Sequence, residues 1–131
     1  MHLKPGVDLD GLAPAGQRIF DVLVAAGEQL GHDITITCTT GDHGPHDSHT
    51  HGNAIDCRTF DLTVDQIVNL YRFMSSTLGP DYTVLYEVPI ADRNTLDMRL
   101  RDLVYEPSNP NAQHLHVQWS LRAGPPPPRP V

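Results

Sequence analysis

Residues His114 to Leu121 read His-Leu-His-Val-Gln-Trp-Ser-Leu, an unbroken alternation of polar and apolar side chains. Successive side chains of a strand point to opposite faces, so Leu115, Val117, Trp119 and Leu121 share one side and His114, His116, Gln118 and Ser120 the other. One face packs against a core. The opposite face presents two histidines for chemistry.

The rest of the chain supplies that core. Asp33 to Thr40 alternates in the same way, with Ile34, Ile36 and Cys38 expected on the buried side and Thr35, Thr37 and Thr39 opposite. Ala54 to Thr59 and Tyr82 to Val88 read as two further strands. Ahead of them, Pro14 followed by Ile19, Phe20, Leu23, Val24 and Leu30 predicts a helix over Ala13 to Leu30, with Gly31 as its stop. A second helix begins at Thr63, where Thr63 and Gln66 form a capping box and Leu62 and Ile67 a staple. It runs through Leu70, Tyr71 and Met74 to Leu78, before Gly79 and Pro80. Leu96, Met98 and Leu100 alternate with Asp97, Arg99 and Arg101, a pattern too short to type. The sum is a small single α+β domain with a mainly antiparallel central sheet flanked by helices.

A chain of 131 residues buries one core without needing a disulfide to hold it. The expected boundaries are a domain over 1–122 and a Pro-rich tail over 123–131, where Pro125 to Pro128 and Pro130 favour extended polyproline geometry. That strip reads as a disordered end or a docking strip for a protein partner. A net charge of −7 with nine scattered basic residues argues against a protein that grips nucleic acid or an anionic membrane. No apolar run approaches the roughly 20 residues of a bilayer helix, and Met1 to Asp10 lack the apolar run of a signal peptide. The expected location is cytoplasmic, or phage-associated with release at lysis. Cys38 and Cys57 read either as small buried side chains or as a disulfide pair.

Gly41 to Gly52 is rich in Gly, Pro, Asp and His and must be a loop. Of the eight histidines, His43, His46, His49 and His51 all fall in this segment. Alone, it reads as a polar surface loop with adventitious metal affinity. Its continuation changes the balance, because Gly52 permits a sharp turn into the strand carrying Asp56, and Asp56 lies on the strand face opposite Ile55 and Cys57. A catalytic zinc takes three protein ligands and keeps one position for water. The loop and strand can supply two, and the strand at His114 and His116 a third.

The spacing of His49, Gly52, Ala54 and Asp56, together with His114-Leu115-His116, resembles the D-alanyl-D-alanine carboxypeptidase and Hedgehog family of zinc peptidases. Asp47 stands where that family usually has Ser. The resemblance covers about Asp33 to Trp119 and implies a Hedgehog-like or DD-peptidase-like fold. It further implies one Zn2+ per chain held by His49, Asp56 and His116, with His51 a rival to His49. The lysostaphin-like endopeptidases share the His-any-His strand but fit the first spacing worse. Within the family the first histidine of the second motif is the base, which falls on His114. Members with an acidic base place it at the position of Gln113, which cannot serve, and Glu106 and Glu87 are distant alternatives. His114 can also be read as a residue that only orients the site.

The family's substrate-holding Arg has no counterpart near Thr40 to His43. That role passes to His43, His46 or Arg58, with His43 and Arg58 the preferred pair. The implied substrate is a short peptide or a peptidoglycan stem peptide, cut as a D-Ala-D-Ala carboxypeptidase or an L-Ala-D-Glu endopeptidase, as in an endolysin. The missing Arg and acidic base keep open a second reading, an inactive zinc-binding structural or recognition domain of the same fold, such as a virion component. A His-rich metal-handling protein is a third.

Overall fold

A computed structural model describes residues 1–40, 49, 51–89, 92, 95–104 and 113–129. Its elements in order are β1 (His2–Leu3), α1 (Pro14–Leu30), β2 (Thr35–Cys38), β3 (Ala54–Arg58), α2 (Val64–Leu78), β4 (Tyr82–Glu87), α3 (Met98–Arg101) and β5 (His114–Trp119). The five strands form one sheet in the order β1-β2-β3-β5-β4, antiparallel except where β1 joins β2. The α+β class with a mainly antiparallel sheet is the observed one. None of the described helices is long and apolar enough to cross a membrane.

The helices start and stop where their residue types dictate. Thr63 accepts from the Gln66 amide while the Gln66 side chain accepts from the Thr63 amide, closing the capping box of α2. Pro14 begins α1, and Gly31 ends it at φ 68°, a left-handed conformation that costs glycine nothing. Ile19, Val22, Leu23 and Ala26 of α1 and Ile67, Leu70 and Met74 of α2 are buried in one core with Ile36, Ile55, Cys57, Val84, Tyr86, Leu115 and Val117 of the sheet. The helices thus cover the sheet face that carries Leu115 and Val117. The other face carries the histidines.

At four places the structure departs from the sequence reading or adds to it. Residues His2–Leu3 add an edge strand through bonds from the His2 amide to the Ile34 carbonyl at 2.8 Å and from Lys4 to Ile36 at 2.9 Å. Two residues are too few to show a period. The stretch left untyped holds a short helix, Met98–Arg101, because the Asp97 carboxylate accepts from the Arg99 amide at 2.9 Å and caps the turn. Leu121 leaves the last strand, opens a 3-10 turn with Arg122 and Ala123, and is exposed. Finally, the two threonines Thr35 and Thr39, expected on the open face, are buried along with Ile34 and Ile36, while Thr37 and Cys38 are half-buried. The N-terminal segment covers Thr39, whose hydroxyl donates to the Asp8 carbonyl at 2.6 Å.

Gly16 brings α1 onto the turn before β3. The Ala13 amide donates to the Gly52 carbonyl at 3.0 Å, and Gly52, at φ 75°, donates to the His49 carbonyl at 2.9 Å. A Cβ on Gly16 would overlap the Gly52 carbonyl oxygen, which is backbone and cannot swing aside. Gly16→Ala is therefore expected to destabilise the fold by about 1–3 kcal/mol and to weaken metal binding by displacing His49. Thermal melts and a metal titration check this; an unaltered melt would mean that the helix and the turn are not in rigid contact.

Beyond β5 the chain returns across the N-terminal segment. The Trp119 indole donates to the Gly124 carbonyl at 2.8 Å, and the Arg129 guanidinium donates to the carbonyls of Gly11, Leu12 and His51 at 2.8, 3.3 and 3.4 Å. The prolines between stay exposed.

Candidate metal centre

Strand register decides which side chains meet. Asp56 of β3 lies opposite His116 of β5, which on its other side lies opposite Leu85 of β4; two pairs along, Arg58 faces His114 and His114 faces Glu87. Cross-strand partners project to the same face. The helix-free face of the sheet therefore gathers Asp56, His116, His114 and Glu87 from three neighbouring strands. His49, buried at 3% exposure, enters from the turn held by Gly52.

His49, Asp56 and His116 converge. His49 Nε2 lies 3.2 Å from His116 Nδ1 and 3.3 Å from Asp56 Oδ2, and His116 Nδ1 lies 2.8 Å from Asp56 Oδ1. Four ligands tetrahedrally placed about 2.0–2.1 Å from a zinc ion stand roughly 3.3 Å from one another, so the spacing of this trio suits a metal with little adjustment. The outward nitrogens are occupied in a way that fixes the rings: His49 Nδ1 is 3.0 Å from the Thr39 carbonyl and His116 Nε2 is 2.7 Å from Gln118 Oε1. Both partners are oxygens that accept an N–H, which turns the lone pair of the other ring nitrogen inward. The cluster can hold a metal ion.

Opposite charges attract one another inside the cluster even without a metal. Burial disfavours the charged His49 ring, but hydrogen bonds and charge from Asp56, with Cys38 adding to them, outweigh it and push its pKa up to about 11. His116 is raised in the same sense, against burial, chiefly by Asp56. Burial would raise the Asp56 carboxyl, yet His116 and His49 hold it well below the usual carboxylate range.

The signs fix a pH response. His49 stabilises the metal-free fold fully below the ordinary imidazole value of 6.5 and loses that contribution as pH rises toward about 11, and His116, raised in the same sense, adds to the trend. Asp56 stabilises above the ordinary carboxyl value of 3.8 and loses its contribution as pH falls. A metal competes with the same ring protons, so its stabilising increment grows with pH. Between about pH 6 and about pH 8.5 the metal-free melting temperature is expected to fall while the increment from added zinc increases, and Asp56→Ala is expected to flatten the first trend. A metal-free protein that melts higher at the upper pH would contradict this charge arrangement.

Among the other expected site residues, His114 is nearly buried, and its Nε2 lies 2.9 Å from Glu87 Oε1 and 3.9 Å from Asp56 Oδ1. Arg58 sits at the edge of the same face, its guanidinium 4.9 Å from the centre of the Phe60 ring and 3.9 Å from Asp61. His51 is exposed and offers its carbonyl to Arg129. His43, His46 and Glu106 lie outside the described residues.

Two neighbours had no place in the expected centre. Glu87, read as distant, has a carboxylate oxygen within 4.8 Å of ligand atoms of both Asp56 and His116, and Cys38 Sγ is equally close to His49 and Asp56. The alternation of Thr83, Leu85 and Glu87 was a usable signal for the first, since it puts Glu87 on one face at the end of a strand. Comparison with known proteins adds nothing to this chemistry, as no family model, curated protein or solved structure matches the chain.

Proposed function

We propose that this protein is a zinc-dependent peptidase, related in fold to the D-alanyl-D-alanine carboxypeptidases and Hedgehog domains, that hydrolyses short peptides of the peptidoglycan stem type. The observation that carries the reading is the convergence of His49 Nε2, His116 Nδ1 and the Asp56 carboxylate beside the His114–Glu87 pair. Two imidazoles and one carboxylate are a donor set suited to zinc, with a fourth position left for water or substrate. When bound, zinc supplies an acidified water and polarisation of a scissile carbonyl.

The protein's own residues do the rest. Thr39 and Gln118 hold the two ligand rings in one tautomer. The Glu87 carboxylate accepts from His114 Nε2, which orients that ring and stabilises it when charged. His114 then takes the proton of the attacking water and returns it to the leaving amine. Arg58, at the rim, provides a cation for a substrate carboxylate.

Metal analysis and cleavage of stem peptides before and after chelation test the proposal. One zinc per chain, and hydrolysis that stops on chelation and returns with zinc, are expected. Absence of any bound metal would overturn it. Stoichiometric zinc without turnover of any stem peptide would instead favour a zinc-bearing recognition or structural domain. Cys38 bears on both readings: a fourth donor beside the cluster closes the position that water needs if it stays bound, and leaves it open if water displaces it.

A further inference from the structure

The sequence pattern puts Cys38 on the core side with Ile34 and Ile36, but the pairing of β2 with β3 moves it. Ile36 lies opposite Cys57, and Cys38 lies opposite Asp56. Two steps along β2 thus answer one step along β3, which is a β-bulge. In regular pairing, Cys38 would have met Ile55 and faced the helices. With the extra residue it shares the face of Asp56. Its Sγ then lies within 4.8 Å of ligand atoms of both His49 and Asp56, while Cys57 remains fully buried on the opposite face. The two cysteines form no disulfide.

We propose that Cys38 is a fourth protein ligand, so that the resting metal is held by one thiolate, two imidazoles and one carboxylate. This rests on the metal centre described above and deepens the peptidase reading: sulfur fills at rest the position that water takes during hydrolysis. A coordinated thiol is deprotonated. Ligation therefore sends the Sγ proton to solvent and exchanges a metal–water bond for a metal–sulfur bond, with no change of oxidation state. A soft donor also tilts the site toward zinc and away from magnesium or calcium, which prefer oxygen.

Cobalt(II) reports on this directly, because a thiolate ligand adds a near-ultraviolet charge-transfer band to the visible bands of a tetrahedral site. Titration of the metal-free full chain with cobalt is expected to give both sets of bands at one equivalent. Cys57→Ala should keep both, whereas Cys38→Ser should keep the visible bands, weakened, and lose the charge-transfer band. Visible bands without the charge-transfer band in the wild type would overturn Cys38 as a ligand and leave the three-ligand centre intact. Neither set in the wild type would overturn the metal centre itself. The wild-type spectrum decides between these outcomes even if the Cys38 variant fails to fold.

Discussion

Asp56→Ala is expected to weaken metal binding by more than about a hundredfold and to lower the melting temperature of the metal-free protein by roughly 10 °C. The two effects have separate origins. Apparent binding energies of roughly 10–16 kcal/mol for a four-ligand zinc site amount to about 3 kcal/mol per ligand, more than two decades of affinity. The loss of stability comes from the acid's position between two buried rings, 2.8 Å from His116 Nδ1 and 3.3 Å from His49 Nε2. Removing one member of such a group costs about 3–5 kcal/mol. The lower end applies, because both imidazoles can discharge their protons once the carboxylate is gone. Calorimetry with and without chelator separates the terms. A variant that melted within about 2 °C of the parent and bound zinc equally well would show that the centre is not organised on Asp56.

The His114–Glu87 pair gives the second large effect. His114→Ala should reduce peptide hydrolysis by about 10²–10⁴ while leaving one zinc per chain, the usual worth of a positioned general base. Glu87→Gln separates orientation from proton transfer. Its amide oxygen can still accept from His114 Nε2, so a carboxylate that only positions the ring should cost about 10–100-fold when neutralised. A loss as great as that of His114→Ala would instead identify Glu87 as the proton acceptor. Loss of zinc from His114→Ala would remove His114 from the role of base and make it a ligand.

The polar face of the last strand was legible because its alternation has no exception from His114 to Ser120, and pairing across three strands required nothing beyond that period. The helices were legible for a similar reason: Thr63, Gln66 and Gly31 are local signals whose effect does not depend on the tertiary fold. Cys38 was not. A bulge is set by two strands together, and the sequence of β2 alone continues its alternation through the point where the register slips. Glu87 was underestimated because its partner His114 lies 27 residues away and only the β4–β5 pairing joins them. The N-terminal edge strand and the short helix after Asp97 were missed because each spans only about one period of the pattern used to recognise it, so the period never repeats.

The placement of β5 between β3 and β4 fixes the order in which the centre can mature. Strands β3 and β4 are joined through α2 and flank a gap that only the last strand fills, and Asp56 waits for His116 across 60 residues of chain. Closing so long a loop comes late in folding and slows it. His49 and Asp56 can meet earlier, but a two-ligand site holds metal weakly, so zinc is captured by a nearly complete fold rather than nucleating one. Added zinc should then slow unfolding far more than it accelerates refolding.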